Sequence, residues 1–312
     1  MASIINEKFT SNTSKPLVVG HRGFRGRFPE NTLLAMRQAV EAGATVIETD
    51  IQLSKDGVVV MCHDIDTGRC YDGNFEVEKS DYFGCLDQLR TKDRYREQMP
   101  TLEETAKMFH NDLLFSKVKL MLDIKRSNRP HVVPEVLRVL ESIAPLEYWK
   151  SKLTFGIWKA DVMQAVHELA PTIGVTFIGW EQRNARRFME KWPKQVEAIS
   201  ISYATLATVG GPELIEDAVK NGFDVYSWTI NDPDAMKWAV AARLKGVITD
   251  FPDVFSSFLD SISDKDLFSE FFQSDPRRFY SVFYTIKLYL MYFLATWYLF
   301  FADNLPFLFK RY

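Results

Sequence analysis

The sequence has little of what marks secreted or nucleic-acid-binding proteins. Its three cysteines, Cys62, Cys70 and Cys85, are odd in number and lack metal-binding spacing. We therefore expect no disulfide framework and a reducing compartment. The formal net charge is −3 over 312 residues, so we expect no nucleic-acid partner. Residues 1–15 contain no apolar run, which argues against a secretory signal and predicts a flexible arm.

The chain does contain a regular alternation of strand and helix patterns. Strand-like segments of the parallel type lie near 17–20, 45–51, 118–124, 153–158, 173–178, 197–202, 224–229 and 245–249. Helical patterns separate several of them, near 160–169, 181–191, 211–221 and 233–242. Eight strands alternating with helices across residues 16–255 predict an α/β protein with a (β/α)₈ TIM barrel. A doubly wound sheet is the alternative, although it would not naturally close at eight strands.

One stretch interrupts this alternation after the second strand. Residues 65–100 are rich in charge and in glycine, and we interpret them as a small insertion over the mouth of the barrel. A helix is predicted to follow, because Thr101 is a good N-terminal cap and Glu104 stands at the capping-box position.

The composition changes again at the end of the chain. Residues 256–278 are polar and predict a linker, whereas residues 279–302 hold a single charge, Lys287. As a helix, the second segment would be about 36 Å long, enough for a bilayer core of about 30 Å. We therefore predict a C-terminal membrane-anchor helix within residues 279–312. The uncharged run 288–302 is short for a span, so spanning the bilayer and lying in one leaflet both remain open, with a buried core helix as the alternative.

Two carboxylates lie close together in the second predicted strand. Glu48 and Asp50 belong to a β-branched, apolar run, and residues two apart on a strand point to the same face. Two acids on one face repel each other unless a cation or basic groups offset them. The alternative is a solvated pair on an edge strand, which the apolar neighbours Val46, Ile47 and Ile51 disfavour.

A hairpin follows this strand and leads to His63. Asp56-Gly57 is a strong turn signal, and the run 58–63 is strand-like, so the second strand must return antiparallel. A two-residue loop would place His63 opposite Asp50, and a four-residue loop would place it opposite Glu48. An odd loop would turn His63 away unless a bulge intervened.

Polar groups also follow or end two other predicted strands. His21 ends the first strand and is followed by Arg22. Asp123 and Lys125 share one face of the strand-like run Lys119–Lys125. Charged residues at the carboxyl end of a barrel strand typically mark the active mouth, whereas an internal ion pair is the alternative interpretation of the second pair.

Five motifs occur in order along the first part of the chain: His21-Arg22-Gly23, Pro29-Glu30-Asn31-Thr32, Glu48-x-Asp50, Asp56-Gly57 and His63-Asp64. Together they resemble the glycerophosphodiester phosphodiesterase family over roughly residues 16–255. The tail also resembles the fungal phosphatidylglycerol-specific phospholipase C branch of that family. The resemblance implies one divalent cation, Mg²⁺ or Ca²⁺, bound by Glu48, Asp50 and Asp123. Members generally carry glutamate where Asp123 stands, which bears on the preferred cation.

The same resemblance implies roles for the remaining site residues. His21 and His63 would share general acid and base catalysis. Arg22 and Lys125 would bind the phosphate. Trp228 would line the substrate pocket, although a barrel-core tryptophan is an equal alternative from the sequence.

We therefore expect a metal-dependent phosphodiesterase that acts on a glycerophospholipid. The first expectation is phospholipase C-type hydrolysis of phosphatidylglycerol to diacylglycerol and glycerol 3-phosphate. The alternative is a glycerophosphodiester phosphodiesterase or lysophospholipase D acting on deacylated or lyso substrates. A non-catalytic membrane-docking protein is less favoured, because both histidines and all three acids are present. The tail predicts attachment to an intracellular membrane through residues 279–302, and it does not distinguish endoplasmic reticulum, mitochondrion and lipid droplet.

Overall fold

The computed structural model describes residues 15–208 and 210–263, together with the single residues Ile286, Leu290, Phe293 and Leu294. The predicted arm (apart from Lys15), the linker beyond residue 263 and the rest of the predicted anchor lie outside the described residues. Within the described part, no helix combines the length and apolar character needed to cross a bilayer.

A closed barrel forms the centre of the described structure. The strands are β1 (Leu17–His21), β2 (Val46–Leu53), β3 (Val59–Met61), β4 (Lys119–Ile124), β5 (Leu153–Ile157), β6 (Gly174–Gly179), β7 (Val196–Ser202), β8 (Asp224–Trp228) and β9 (Gly246–Thr249). All are parallel except β3, which pairs antiparallel with β2. Because β1 pairs with both β2 and β9, eight parallel strands close into a ring. The predicted TIM-barrel fold is confirmed, and an open doubly wound sheet is excluded.

Helices surround the barrel and bury their apolar faces against it. They are α1 (Leu33–Glu41), α2 (Leu102–Asn111), α3 (Val132–Ile143), α4 (Leu146–Lys152), α5 (Ala160–Leu169), α6 (Gln182–Lys191), α7 (Tyr203–Leu206), α8 (Gly211–Lys220), α9 (Pro233–Ala241) and α10 (Pro252–Ser261). The capping box predicted at Thr101 and Glu104 is present at the start of α2.

Helix α10 corrects the predicted start of the linker. Residues 256–261, expected to be linker, form the second half of this helix. Phe255, Leu259 and Ile262 are buried in the main apolar core. The barrel domain therefore continues to Ile262, because burial of this face ties α10 to the core.

The insertion after β3 has an apolar cluster of its own. It contains two 3₁₀ turns, Val77–Lys79 and Leu86–Gln88. Its buried residues Tyr71, Val77, Tyr82, Leu86 and Leu89 pack with Val60, Cys62 and Met99 at its two ends. The insertion is therefore an ordered layer fixed to β3, the strand that leads to His63.

Candidate active site

Three buried carboxylates converge at the mouth of the barrel. Glu48 and Asp50 point inward from β2, and Asp123 is the register partner of Asp50 on β4. Each offers one oxygen atom, and these three atoms lie within 4.8 Å of one another. Burial raises the pKa of Glu48 well above its usual value, and the negative charges of Asp50 and Asp123 raise it further.

Two basic side chains offset part of this negative charge. Lys125 Nζ lies 3.2 Å from Asp50 Oδ1 and 3.1 Å from Asp123 Oδ2. Arg22 Nε lies 3.2 Å from Asp50 Oδ2, and the Arg22 backbone N–H donates to Glu48 Oε2 at 2.8 Å. Burial alone would raise the pKa of Asp50, but Lys125 and Arg22 hold it below its usual value.

The cluster fits a hard divalent cation. All three donors are carboxylate oxygens, the ligand type that Mg²⁺ and Ca²⁺ prefer. Burial and the charges of Asp50 and Asp123 both raise the pKa of Glu48, and a bound cation would offset these effects. Glu48, Asp50 and Asp123 are therefore the residues that would hold the ion.

The two candidate histidines reach this cluster from two strands that both pair with β2. His21 is the last residue of β1, and its Nε2 lies 4.0 Å from Glu48 Oε2. Strand β2 pairs with β1 through residues 46–48 and with β3 through residues 51–53. Strand β3 therefore lies above the end of β1 and runs back toward it, which brings His63 to the same mouth.

The hairpin differs from the predicted even loops. Leu53 pairs with Val59, so five residues separate the strands, and continuing this register would set His63 opposite Thr49. Strand β3 ends at Met61, and the chain bends at His63. The position of His63 is therefore set by this bend, and the alternation of side chains along the strand does not determine it. His63 nevertheless lies close enough to the cluster for its charge to lower the pKa of Asp50, together with those of Lys125 and Arg22.

Each imidazole has a carboxylate partner. His21 Nδ1 lies 2.6 Å from Asp250 Oδ1, and His63 Nδ1 lies 2.6 Å from Asp64 Oδ1. Sequence reasoning missed Asp250 as a site residue, although its position directly after the closing strand was an available signal. Burial lowers the pKa of His21, although the hydrogen bond to Asp250 acts in the opposite direction.

An arginine of the insertion joins the site as well. Arg69 pairs with Glu30 Oε1 at 2.6 Å and with Asp64 Oδ2 at 2.5 Å. Glu30 also accepts from Arg22 Nη1 at 2.7 Å. Burial alone would raise the pKa of Glu30, but Arg69 and Arg22 lower it to about 2. The sequence analysis missed Arg69, which links the partner of His63 to the loop that carries Arg22.

Three tryptophans lie at the carboxyl ends of strands β5, β6 and β8. Trp158 follows β5, Trp180 follows β6 and Trp228 ends β8, and all three are half-buried. The Trp228 ring centroid lies 4.6 Å from that of Trp180 and 5.6 Å from that of Trp158. Trp158 Nε1 donates to Asp123 Oδ1 at 2.7 Å. We call these three residues the tryptophan wall; the sequence analysis named only Trp228.

Comparison with known proteins identifies the family. The model of the glycerophosphoryl diester phosphodiesterase family matches residues 21–254. The chain belongs to this family. It is 27% identical over 255 residues to a putative glycerophosphodiester phosphodiesterase of Bacillus subtilis, covering 76% of this chain and 95% of that protein. It is 25% identical over 283 residues to human lysophospholipase D GDPD1, covering 78% of this chain and 86% of that protein.

A solved structure supports the same assignment. A phosphodiesterase from Oleispira antarctica, in complex with the product sn-glycerol-3-phosphate, superposes with a TM-score of 0.69 at 25% identity, covering 79% of this chain and 97% of that chain. As a member of the glycerophosphoryl diester phosphodiesterase family, the present protein is a phosphoric diester hydrolase. The family depends on a divalent metal, and the acidic cluster is present in this chain. The comparisons do not show the fungal phosphatidylglycerol-specific phospholipase C branch.

Proposed function

We propose that this protein hydrolyses glycerophosphodiesters and lysophospholipids at the phosphate bond to the headgroup alcohol. The observation that carries the proposal is the cluster of Glu48, Asp50 and Asp123 with a histidine of β1 and one from the β3 hairpin beside it. The relative named lysophospholipase D and the structure with sn-glycerol-3-phosphate support this choice of substrate.

Charge neutralisation would orient the phosphate. Arg22 and Lys125 already lie against the acidic cluster and carry N–H groups suited to phosphate oxygens. A divalent cation held by Glu48, Asp50 and Asp123 would polarise the phosphodiester oxygens and offset their charge.

Proton transfer would be divided between the two histidines. The free hydroxyl at C2 of the substrate glycerol attacks phosphorus, and its proton passes to His21 Nε2. The bond from phosphorus to the headgroup oxygen breaks, and His63 supplies a proton to that oxygen. Water then opens the cyclic phosphate with the two roles reversed. The lowered pKa of His21 supports its role as the first base, since it favours the neutral imidazole.

Phosphatidylglycerol is the second candidate substrate. Its headgroup glycerol has a free hydroxyl next to the phosphoester, so the same chemistry would release diacylglycerol and glycerol 3-phosphate. The apolar tryptophan wall and the run 279–302 favour a lipid over a small soluble diester. We also propose attachment to an intracellular membrane through that run.

A substrate panel tests this proposal. Purified protein is offered glycerophosphoethanolamine, its lyso and diacyl forms, and phosphatidylglycerol, and the products are separated. We expect glycerol 3-phosphate from the first and lysophosphatidic acid from the second. Diacyl phosphatidylethanolamine lacks a hydroxyl next to the phosphoester and should be inert, as should a lyso substrate methylated at that hydroxyl. Release of ethanolamine from either blocked substrate would reject attack by the hydroxyl, and dominant diacylglycerol from phosphatidylglycerol would favour the second candidate.

A variant of His63 tests its proposed role as the general acid. His63→Ala should lower kcat by about 10²- to 10⁴-fold, the usual contribution of general acid–base catalysis. His110→Ala is the matched control, because His110 is an exposed residue of α2. Its imidazole hydrogen-bonds Asn111 and its ring contacts that of Tyr148, and neither residue belongs to the site. Comparable turnover in the two variants would remove His63 from the mechanism.

A further inference from the structure

The carboxylate of Asp50 is held by a specific set of contacts from Asn31. Asn31 Nδ2 donates to Asp50 Oδ2 at 2.9 Å. Asn31 Oδ1 accepts from the Asp50 backbone N–H at 3.2 Å and from the Thr49 hydroxyl at 2.9 Å. One amide side chain therefore fixes both the backbone and the side chain of the Thr-Asp pair in β2.

The same set of contacts occurs a second time at the end of the barrel. Asn231 Nδ2 donates to Asp250 Oδ2 at 2.7 Å. Asn231 Oδ1 accepts from the Asp250 backbone N–H at 2.8 Å and from the Thr249 hydroxyl at 3.1 Å. We call each arrangement a Thr-Asp clamp. The two clamps lie on either side of β1, because β1 pairs with both β2 and β9.

The two clamps hold carboxylates that face different partners. Asp50 faces Asp123 and Glu48, whereas the free oxygen of Asp250 lies 2.6 Å from His21 Nδ1. Arg25 Nε is 3.8 Å from the same oxygen of Asp250. The Asn231 amide donates to the other oxygen, which stabilises the ionised carboxylate.

An ionised carboxylate can only accept a hydrogen bond, so the proton between the two groups belongs to His21 Nδ1. In the neutral imidazole, Nε2 is then the unprotonated nitrogen. This is the nitrogen that faces the acidic cluster, 4.0 Å from Glu48 Oε2. The clamp therefore fixes the ring orientation and the tautomer together.

We propose that Asp250 is a positioning residue that presents His21 Nε2 to the substrate, and that Asn231 holds Asp250 in place through the second Thr-Asp clamp. This inference rests on the acid–base role of His21 in the proposed function. It predicts that loss of the carboxylate lowers turnover through His21 and leaves substrate binding largely intact.

The kinetic test compares four variants of the full chain with glycerophosphoethanolamine as substrate. Asp250→Asn should lower kcat by about 100-fold or more with KM changed by less than about threefold, as expected when the wrong tautomer is favoured. In a His21→Ala background the same change should have no further effect. Asp253→Asn is the matched control, because it breaks a 2.6 Å ion pair with Arg27 only three residues further along the chain.

The outcomes of this comparison test the positioning role of Asp250 and the acid–base role of His21 separately. A kcat of Asp250→Asn within about threefold of the control overturns the positioning role, as does a loss of the same size in the His21→Ala background. Full activity of His21→Ala itself rejects the acid–base role of His21, and so the proposed mechanism. If Asp250→Asn does not fold, Asn231→Ala replaces it, with a loss in kcat of about tenfold expected and an unchanged kcat overturning the proposal.

The tautomer of His21 can be measured without turnover. This measurement tests the role of Asp250 whichever substrate the enzyme uses. In ¹⁵N-histidine NMR spectra, the His21 signal is identified by its loss in His21→Ala. We expect a protonated Nδ1 and an unprotonated Nε2 in the wild type, and a changed tautomer in Asp250→Asn. A wild-type His21 protonated at Nε2 overturns the proposal even if every substrate is inert.

Discussion

The carboxyl group of Glu48 is buried beside Asp50 and Asp123, and both burial and their charges raise its pKa. The pKa of Asp50 is lowered instead, because the charges of Lys125 and Arg22 outweigh the effect of its burial. The pKa values of neighbouring acids in one cluster therefore shift in opposite directions, because both Lys125 and Arg22 lie 3.2 Å from Asp50, whereas burial outweighs the basic groups at Glu48. Asp123 follows Glu48, since its pKa is also raised, mainly by burial.

This difference predicts how the stability of the metal-free protein depends on pH. Because the folded pKa of Glu48 is raised, its contribution to stability is fully present below its usual value of 4.5 and is lost as pH rises through the folded pKa. Asp50 stays ionised in this window. The lowered pKa of His21 acts in the opposite direction. We therefore expect the melting temperature in chelator to fall as pH rises relative to that of Glu48→Gln, and Mg²⁺ or Ca²⁺ to raise it more near pH 7.5 than near pH 5.

Melting curves at two pH values, with chelator or cation, provide the measurement. Glu48→Gln removes the ionising group and should flatten the pH dependence. Glu216→Gln serves as the control, because Glu216 is an exposed carboxylate of α8 outside the cluster. Equal stabilisation by cation at both pH values would show that charge repulsion is not what the ion relieves.

At the scale of secondary structure elements, the β2–β3 hairpin decides where His63 lies. Asp56 Oδ1 accepts from the Ser54 hydroxyl at 2.6 Å and from the Tyr82 backbone N–H at 2.8 Å. Ser54 Oγ in turn accepts from the Val58 N–H at 2.9 Å. Side chains therefore close this five-residue turn and tie it to the insertion.

The tryptophan wall at the carboxyl ends of β5, β6 and β8 is expected to influence which substrate binds. Trp180 contacts Trp228 and, unlike Trp158, has no hydrogen bond to a site carboxylate among those found in the described structure. We expect Trp180→Ala to raise KM for lysophosphatidylethanolamine by about tenfold and to leave KM for glycerophosphoethanolamine nearly unchanged, because only the first carries an acyl chain. Steady-state kinetics with both substrates measures this.

Trp180→Phe is the conservative control for this prediction. It keeps an aromatic ring beside Trp228 and should retain most of the affinity for the lyso substrate. A loss of equal size with both substrates in Trp180→Ala would mean that the tryptophan wall shapes the site and does not bind the acyl chain.

At the scale of the whole molecule, the barrel is complete within the described residues, and α10 covers the outer side of β1. Ile286, Leu290, Phe293 and Leu294 are helical and each is more than half exposed. Exposed apolar side chains are what the proposed membrane attachment would use.

This arrangement predicts that the tail concentrates the enzyme on lipid and takes no part in the chemistry. Burial of apolar area is worth roughly 25 cal/mol per Å², so a helix of this composition would bind a bilayer firmly. A variant ending near residue 274 should leave the membrane fraction, keep its kcat on dispersed lysophospholipid and lose much of its rate on vesicles. Vesicle sedimentation and rates on both forms of lipid provide the measurement.

Two results would contradict this division. If the truncated variant stays on the membrane, another surface of the protein binds it. If its rate on dispersed lipid falls as well, the tail is part of the catalytic unit. Truncation near residue 262 would not be a fair control, because Leu259 and Ile262 are buried in the barrel core.

Features that depend on residues close together in the chain could be predicted from the sequence. Alternating patterns located the eight barrel strands, and the spacing of two in β2 set Glu48 and Asp50 on one face. The cap at Thr101 was equally local. Ordered motifs then indicated the family, because few other proteins combine them.

Contacts between residues far apart in the chain became visible in the folded protein alone. His21 and Asp250 are 229 residues apart and come together because β9 closes the barrel against β1. Arg69 reaches Glu30 because the insertion folds back on β3. Local periodicity carries no information about such pairings, since they depend on closure of the ring and on side chains that anchor a turn. The sequence therefore determined the barrel and its acids, and the fold decided how the histidines are held beside them.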